Sequence, residues 1–338
     1  MDKTVLLGHG SGGRMMKRLV DEVFLEAFGN PALDAGDDAG VVAAPSGRLA
    51  LSTDSFVVTP AFFPGGDIGR LAVAGTVNDI ATSGARPLYL TCGFILEEGF
   101  PMDDLRRICA SMAATAAEAG VAIVSGDTKV VERGHADGVF INTAGVGVLP
   151  DGVELSGSHC KPGDKVLVSG TLGDHGITVM SAREGLSFSA DVESDAAPLS
   201  ALVAAVLEAA PHARCFRDPT RGGLASTLNE FALASGVDIE VDEASVPVRP
   251  QVAAACELLG YDPLQVANEG KMVAVVPADE ADAALGAMHG APYGQNAAVI
   301  GEVFEARRAG SPCVRVCTAW GAARVLDMLV GEQLPRIC

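Results

Sequence analysis

The sequence predicts a chain of mixed helices and strands in two domains, an α/β (α+β) protein. Three observations lead there. Short apolar runs of strand character alternate with segments whose apolar residues recur every three or four positions. Turn-forming residues, Pro150, Gly152, Gly157, Pro162 and Gly163, divide the chain near its middle. The 338 residues, 49% hydrophobic and 20% charged, suit two ordinary cores. With only 5% aromatics and 40 glycines, those cores draw on Ala, Val, Leu and Ile, and backbone can approach a ligand closely at many points.

Residues 1–150 read as the first domain. A glycine-rich loop, Leu7 to Gly13, precedes a helix over Arg14–Phe28 that Gly29, Asn30 and Pro31 stop. Strands over Ala39–Ala44 and Arg48–Ser52 flank Pro45-Ser46-Gly47 as a hairpin, and Phe56–Thr59 continues the β character. A helix over Asp67–Ser83, a strand over Pro87–Phe94, an Ala-rich helix over Met102–Ala119 and strands over Val121–Val124 and Val139–Val148 follow. Residues 160–325 read as the second domain. Its expected helices are Gly176–Arg183, Pro198–Glu208, Gly222–Ser235, Gln251–Leu259 and 279–289. Its expected strands are Lys165–Ser169, Asp238–Val241, Lys271–Val276 and Val299–Phe304. Residues 326–338 form a mobile tail, with a helical turn over Val325–Leu329 and the last residues extended and exposed.

The formal net charge of −19, with no Lys/Arg block to offset it, excludes a polyanionic partner such as nucleic acid. No apolar span long enough for a membrane helix is present, and the first residues lack a secretion signal. The eight scattered cysteines then read as free thiols in a reducing, cytoplasmic setting.

Several aspartates stand beside glycines or at strand ends in apolar frames: Asp37 and Asp38, Asp54, Asp79, Asp127 and Asp218. A carboxylate in such a frame needs a partner. Two readings stay open: ligation of a hard divalent cation such as Mg²⁺, which implies a phosphorylated substrate, or Asx turns and helix caps. Neither a Walker loop nor the protein-kinase signatures occur. The loop holding Gly10, Gly12 and Gly13 is either an anion cradle or a flexible lead-in. Arg221 and Gly222, three and four residues after Asp218, suit a phosphate clamp at a helix start, or a simple cap. Lys129, two residues from Asp127, faces the same way if that segment is extended. Glu132, His175 and Glu269 complete the candidates, and Cys338 places a thiol on the last residue.

The runs LGHGSGG, GDDAG, LSTDSF, GTVNDIATSGARPLYL, VSGDTKVVERG, GTLGDHGI, RDPTRGGLA, ANEGKM and PRIC together resemble the superfamily of aminoimidazole ribonucleotide synthetase, selenophosphate synthetase and thiamine monophosphate kinase. Within it the chain resembles the HypE family of hydrogenase maturation factors, carbamoyl dehydratases. The resemblance implies an N-terminal sheet domain that dimerises and a C-terminal α/β domain closing over a nucleotide cleft, with ATP and Mg²⁺ as cofactors. It implies metal ligation by Asp38, Asp79 and Asp218. It places nucleotide contacts at Gly10, Gly12, Gly13, Asp54, Asn78, Asp127, Arg221 and Gly222. The implied substrate is a carbamoyl group on Cys338, delivered by a HypF-type carbamoyltransferase and dehydrated to a thiocyanate, the cyanide then passing to iron on a HypC–HypD scaffold. Catalytic roles are expected for Cys338, for Glu269 as base, and for Lys129 and His175 in support. Alternatives are another ATP-dependent enzyme of the superfamily or a non-catalytic nucleotide-binding scaffold. The loop holds His9 and Ser11 but no cysteine, which counts against selenium chemistry.

Overall fold

The computed structural model describes residues 2–37, 39–185, 192–308, 310–318, 320–329, 331 and 336–338, and all counts below refer to these. The first sheet contains β1 (Leu49–Phe56), β2 (Arg86–Glu97), β3 (Ala122–Val131) and β4 (Val139–Val148), in the order β1-β4-β2-β3. β4 runs antiparallel to both β1 and β2. β2 and β3 are parallel, so a helix must carry the chain across, and α2 (Met102–Ala119) does so. Before it comes α1 (Ile68–Thr82), started by Asp67, whose side chain accepts from the Gly69 and Arg70 amides.

Both helices pack on one face of the sheet. The close approach of α1 relies on glycine in β4, since a Cβ at Gly145 would stand 2.6 Å from Ile80 Cδ1. Among the described residues no helix covers the opposite face. Leu49, Leu51 and Ile95 are exposed there, Leu51 at 74%.

The second sheet is built from β5 (Lys165–Val168), β6 (Cys215–Arg217), β7 (Val237–Asp242), β8 (Val273–Val276), β9 (Ala298–Glu305), β10 (Val314–Cys317) and β11 (Ala323–Val325). Their order is β11-β10-β7-β9-β5-β8-β6, with only β10 and β7 parallel. Alternation along β5 assigns its faces. Val166 and Val168 enter the core shared with α5 (Gly223–Ser235), while Leu167 enters the core shared with α4 (Ser200–Ala209) and α7 (Ala281–Gly290). Helices α3 (Asp174–Glu184) and α6 (Pro250–Leu259) complete the domain. No helix among the described residues is long and apolar enough to cross a membrane.

Three expectations fail. Ala39–Ala44 forms no hairpin with the strand after it, because β1 takes its partner from β4, about ninety residues on, and Val41 stays in solvent. Val325–Leu329 is not helical: Val325 ends β11, and Leu326 is buried with its amide donating to Val314 O. The last residues are not uniformly extended and exposed: Arg336 is exposed but turns at φ 56°, while Ile337 is buried and Cys338 is partly buried. Ile337 is 4% exposed and packs into the first domain's core, because main-chain amides of the first domain and side chains of the second bond to the tail backbone and draw it in.

Candidate active site

A cavity of about 480 Å³ opens between the domains, lined by Asp54, Asp79, Asp218, Arg221, Glu269 and Cys338 together with Ser52, Thr53, Thr82, Arg217 and Thr220. Edge strand β1 contributes Asp54 and α1 contributes Asp79, which accepts a 2.7 Å hydrogen bond from Ser52 Oγ. Asp218 follows directly on β6, and the next residues turn into α5 through Gly222 at φ 77° and Gly223 at φ 59°. A side chain at Gly223 would put its Cβ 2.6 Å from Val266 O, so glycine is required there for Asp218 and Arg221 to share a wall.

Carboxylates this close disfavour one another's charge. Burial, with Asp79 and then Asp54 nearby, pushes Asp218 up to about 7. Asp79 is raised by burial and Asp54, with the Ser52 bond opposing. Glu269 is 4% exposed and raised well above its ordinary range, first by burial and then by Asp218, while Arg221 opposes. Its Oε1 is buried without a hydrogen-bond partner among the described residues. Burial and then Glu269 push the Cys338 thiol up to about 12, so the docked sulfur is an S–H.

These donors suit a hard divalent cation in kind: oxygen ligands, surplus negative charge and an orphaned carboxylate oxygen. Among the described residues no three His, Cys, Asp or Glu side chains already stand at ligating distance. Phosphate oxygens would therefore have to complete the coordination. Asp38 lies outside the described residues.

The remaining expected residues are elsewhere. Asp127 and Lys129 do face one way on β3, with Lys129 Nζ 2.6 Å from Asp127 Oδ2, but both are exposed at the sheet edge opposite β1. Gly10 packs against Val130, which lays the glycine loop over that same strand, with open space around Gly12 and Gly13. Most of the expected site residues thus fall into two groups, one around the cavity beside β1 and one along β3 at the opposite edge of the first sheet. Asn78 is buried and donates to Ala197 O and Glu269 O, while Leu199 N donates to its Oδ1. Those bonds make it a strut between the domains behind Glu269 rather than part of the cavity wall. Gly222 is the N-cap of α5. His175 is fully buried, and its Nε2 lies 2.6 Å from Ile337 O. Ser52, Thr53, Thr82, Arg217 and Thr220 were not anticipated. Ser52 and Thr53 adjoin Asp54 in LSTDSF, and Arg217 and Thr220 flank Asp218 in RDPTRGG, so adjacency to a singled-out aspartate was the available signal.

Comparison with known proteins follows the same two-sheet division. Residues 36–149 match the family model for the AIR synthase related protein, N-terminal domain, and residues 161–312 match that for the C-terminal domain. The chain is 56% identical to the carbamoyl dehydratase HypE of Azotobacter vinelandii, over 99% of this chain and 97% of that one. It is 50% identical to that of Escherichia coli K12, over 99% of each. A crystal structure of hydrogenase maturation protein HypE in complex with ATP superposes with a TM-score of 0.95 at 52% identity, covering 99% of this chain and all of the other. A HypE–HypF complex structure gives 0.81 at 50% identity, over 92% of this chain and 99% of the other.

Proposed function

The chain belongs to the AIR synthase related family and, within it, to the HypE carbamoyl dehydratases of hydrogenase maturation, and on that premise we propose that it uses ATP to dehydrate a carbamoyl group on its own Cys338. The observation that carries this reading is the seating of Cys338 in the carboxylate cavity beside Glu269 and Arg221.

The group arrives as S–C(=O)–NH₂ and leaves as S–C≡N. Hydroxide or oxide is a poor leaving group, so the carbamoyl oxygen first takes the γ-phosphoryl of ATP, releasing ADP. The carbon–oxygen bond then breaks with phosphate departing, and nitrogen gives up both protons. The balance is carbamoyl plus ATP to cyano plus ADP and phosphate. Arg221 neutralises charge on the phosphoryl group in transfer. Glu269 takes a proton from nitrogen; its raised pKa makes it a strong acceptor once ionised, and neutralising the carboxylates around it favours that ionisation. Asp54, Asp79 and Asp218, with Asp38, would hold Mg²⁺, which supplies charge neutralisation at the phosphates.

Lys129 and Asp127 sit outside the cavity of their own chain. The open sheet face offers them a route into a site. If two copies pack these faces about an axis along the strands, the β3 edge of one lies across from the β1 edge of the other. The exposed Leu49, Leu51 and Ile95 support such a homodimer. The glycine loop over β3, with Gly10, Gly12 and Gly13, would then join Asp127 and Lys129 around the nucleotide.

A docked thiol raised to about 12 is a poor nucleophile, which supports loading of the carbamoyl group away from this cavity by a HypF-type carbamoyltransferase. Delivery of cyanide to iron on a HypC–HypD scaffold completes the reading, in a cytoplasmic setting. Mass measurement of the peptide bearing Cys338, with and without ATP, tests it.

A further inference from the structure

The last residues enter the cavity through backbone contacts made from both domains. From the first domain, Val57 N donates to Cys338 O at 3.0 Å and Thr59 N donates to Arg336 O at 3.3 Å. From the second, two residues of α3 reach the same stretch. Arg183 Nη2 donates to Arg336 O at 2.5 Å, and its Nε donates to Thr59 O at 2.9 Å. His175 Nε2 lies 2.6 Å from Ile337 O.

Hydrogen-bond direction fixes the state of that imidazole. The Ala196 amide donates to Ser194 Oγ at 3.2 Å, and Ser194 Oγ is 2.8 Å from His175 Nδ1. The carbonyl of Ile337 can only accept, so Nε2 carries the hydrogen. Nδ1 then accepts from the Ser194 hydroxyl. Burial holds His175 below its ordinary pKa, so the neutral ring persists. The ring packs edge-on against Phe63, centroids 5.6 Å apart.

Register decides what this bond does. Ile337 enters the apolar core, and Cys338 enters the cavity. A slip of one residue in either direction would take Cys338 out of the cavity and Ile337 out of the core. Holding Ile337 O and Cys338 O from two domains leaves one register available.

We propose that His175 is a positioning residue: its Nε2–H, aimed by Ser194, reads the carbonyl of Ile337 and locks the register that delivers Cys338 to the cavity. Its catalytic consequence rests on Cys338 being the reacting residue, but the lock itself does not, and it is tested on unmodified protein without ATP.

The measurement is the rate at which iodoacetamide alkylates Cys338 in folded protein, read by mass on the peptide containing it. Loss of one buried hydrogen bond predicts a rise of roughly tenfold in His175→Ala. His175→Gln places an amide near Nε2 and restores the slow rate. His175→Asn reaches only the Nδ1 position and stays fast. Ser194→Ala, which frees the tautomer, falls between. Phe63→Leu loosens the ring's packing without removing the bond and keeps the slow rate. If His175→Ala does not fold, the ordering of Gln, Asn and Ser194→Ala decides. Equal rates for Gln and Asn, or a Phe63→Leu rate matching Asn, would overturn the lock. Failure of Cys338 to become cyanated in turnover would instead count against the proposed function and leave these rates untouched.

Discussion

Ser52 Oγ donates a 2.7 Å hydrogen bond to Asp79 Oδ2, tying edge strand β1 to helix α1 at the cavity wall. That bond uses one lone pair and leaves the rest of the carboxylate available. We expect Asp79→Asn to weaken Mg²⁺-dependent ATP binding by about tenfold or more, roughly 1.4 kcal/mol, in calorimetric titration. Ser52→Ala should cost less, since it removes orientation and not charge. Equal binding by Asp79→Asn and the parent would remove Asp79 from the metal set.

Burial and then the neighbouring Asp79 push the Asp218 carboxyl up to about 7, well above the ordinary carboxylate range. A raised carboxyl contributes stability that is present below the unfolded pKa and lost as pH rises through the folded one. Metal-free Asp218→Asn should therefore gain stability relative to the parent between pH 5 and pH 8. The gain should reach about 1–2 kcal/mol at the upper end, after allowance for solvent at this half-buried group. Denaturant melts across that range check the sign. Mg²⁺ affinity of the parent should rise over the same interval, because the ligand must lose its proton.

Glu269→Gln is close to isosteric with the protonated acid that the cavity favours. It should fold, bind ATP and accumulate the carbamoylated form. Conversion at the parental rate would reject Glu269 as the base.

Lys129→Ala should change stability by less than about 0.5 kcal/mol, because its ion pair with Asp127 is exposed. Turnover should nevertheless fall by about a hundredfold or more, the scale of losing a charge-stabilising group. In mixed dimers with Cys338→Ala, activity returns only if Lys129 serves the partner's site as proposed. A mixed dimer as inactive as its two parents would rule out that exchange.

Gly223→Ala places a side chain at φ 59° and within 2.6 Å of Val266 O. We expect a loss of about 2–3 kcal/mol in unfolding free energy, with ATP binding weakened as Asp218 and Arg221 shift.

Much of the cavity was legible because its carboxylates stand in apolar, glycine-flanked runs where an unpaired charge is costly. Asp54, Asp79, Asp218, Arg221 and Glu269 meet there with Cys338, while Asp127 and Lys129 lie on β3. Asn78 and His175 were not legible in the same way. Each is buried in bonds to backbone from distant segments, and such partners leave no trace in local residue type. The Ala39–Ala44 hairpin failed for a related reason: local turn chemistry favoured it, but β4 supplied a longer ladder. Ile337 alone carries too little apolar signal to predict a docked tail. Its burial comes from the bonds of Val57, Thr59, His175 and Arg183.

The most direct test is intact mass of the chain after incubation with a HypF-type carbamoyltransferase, carbamoyl phosphate and ATP. The expected result is a carbamoyl adduct on Cys338 that, when ATP and Mg²⁺ reach the cavity, becomes a species lighter by one water, with both absent in Cys338→Ala. An adduct that never loses water while ATP is hydrolysed, or the same products from Cys338→Ala, would contradict it.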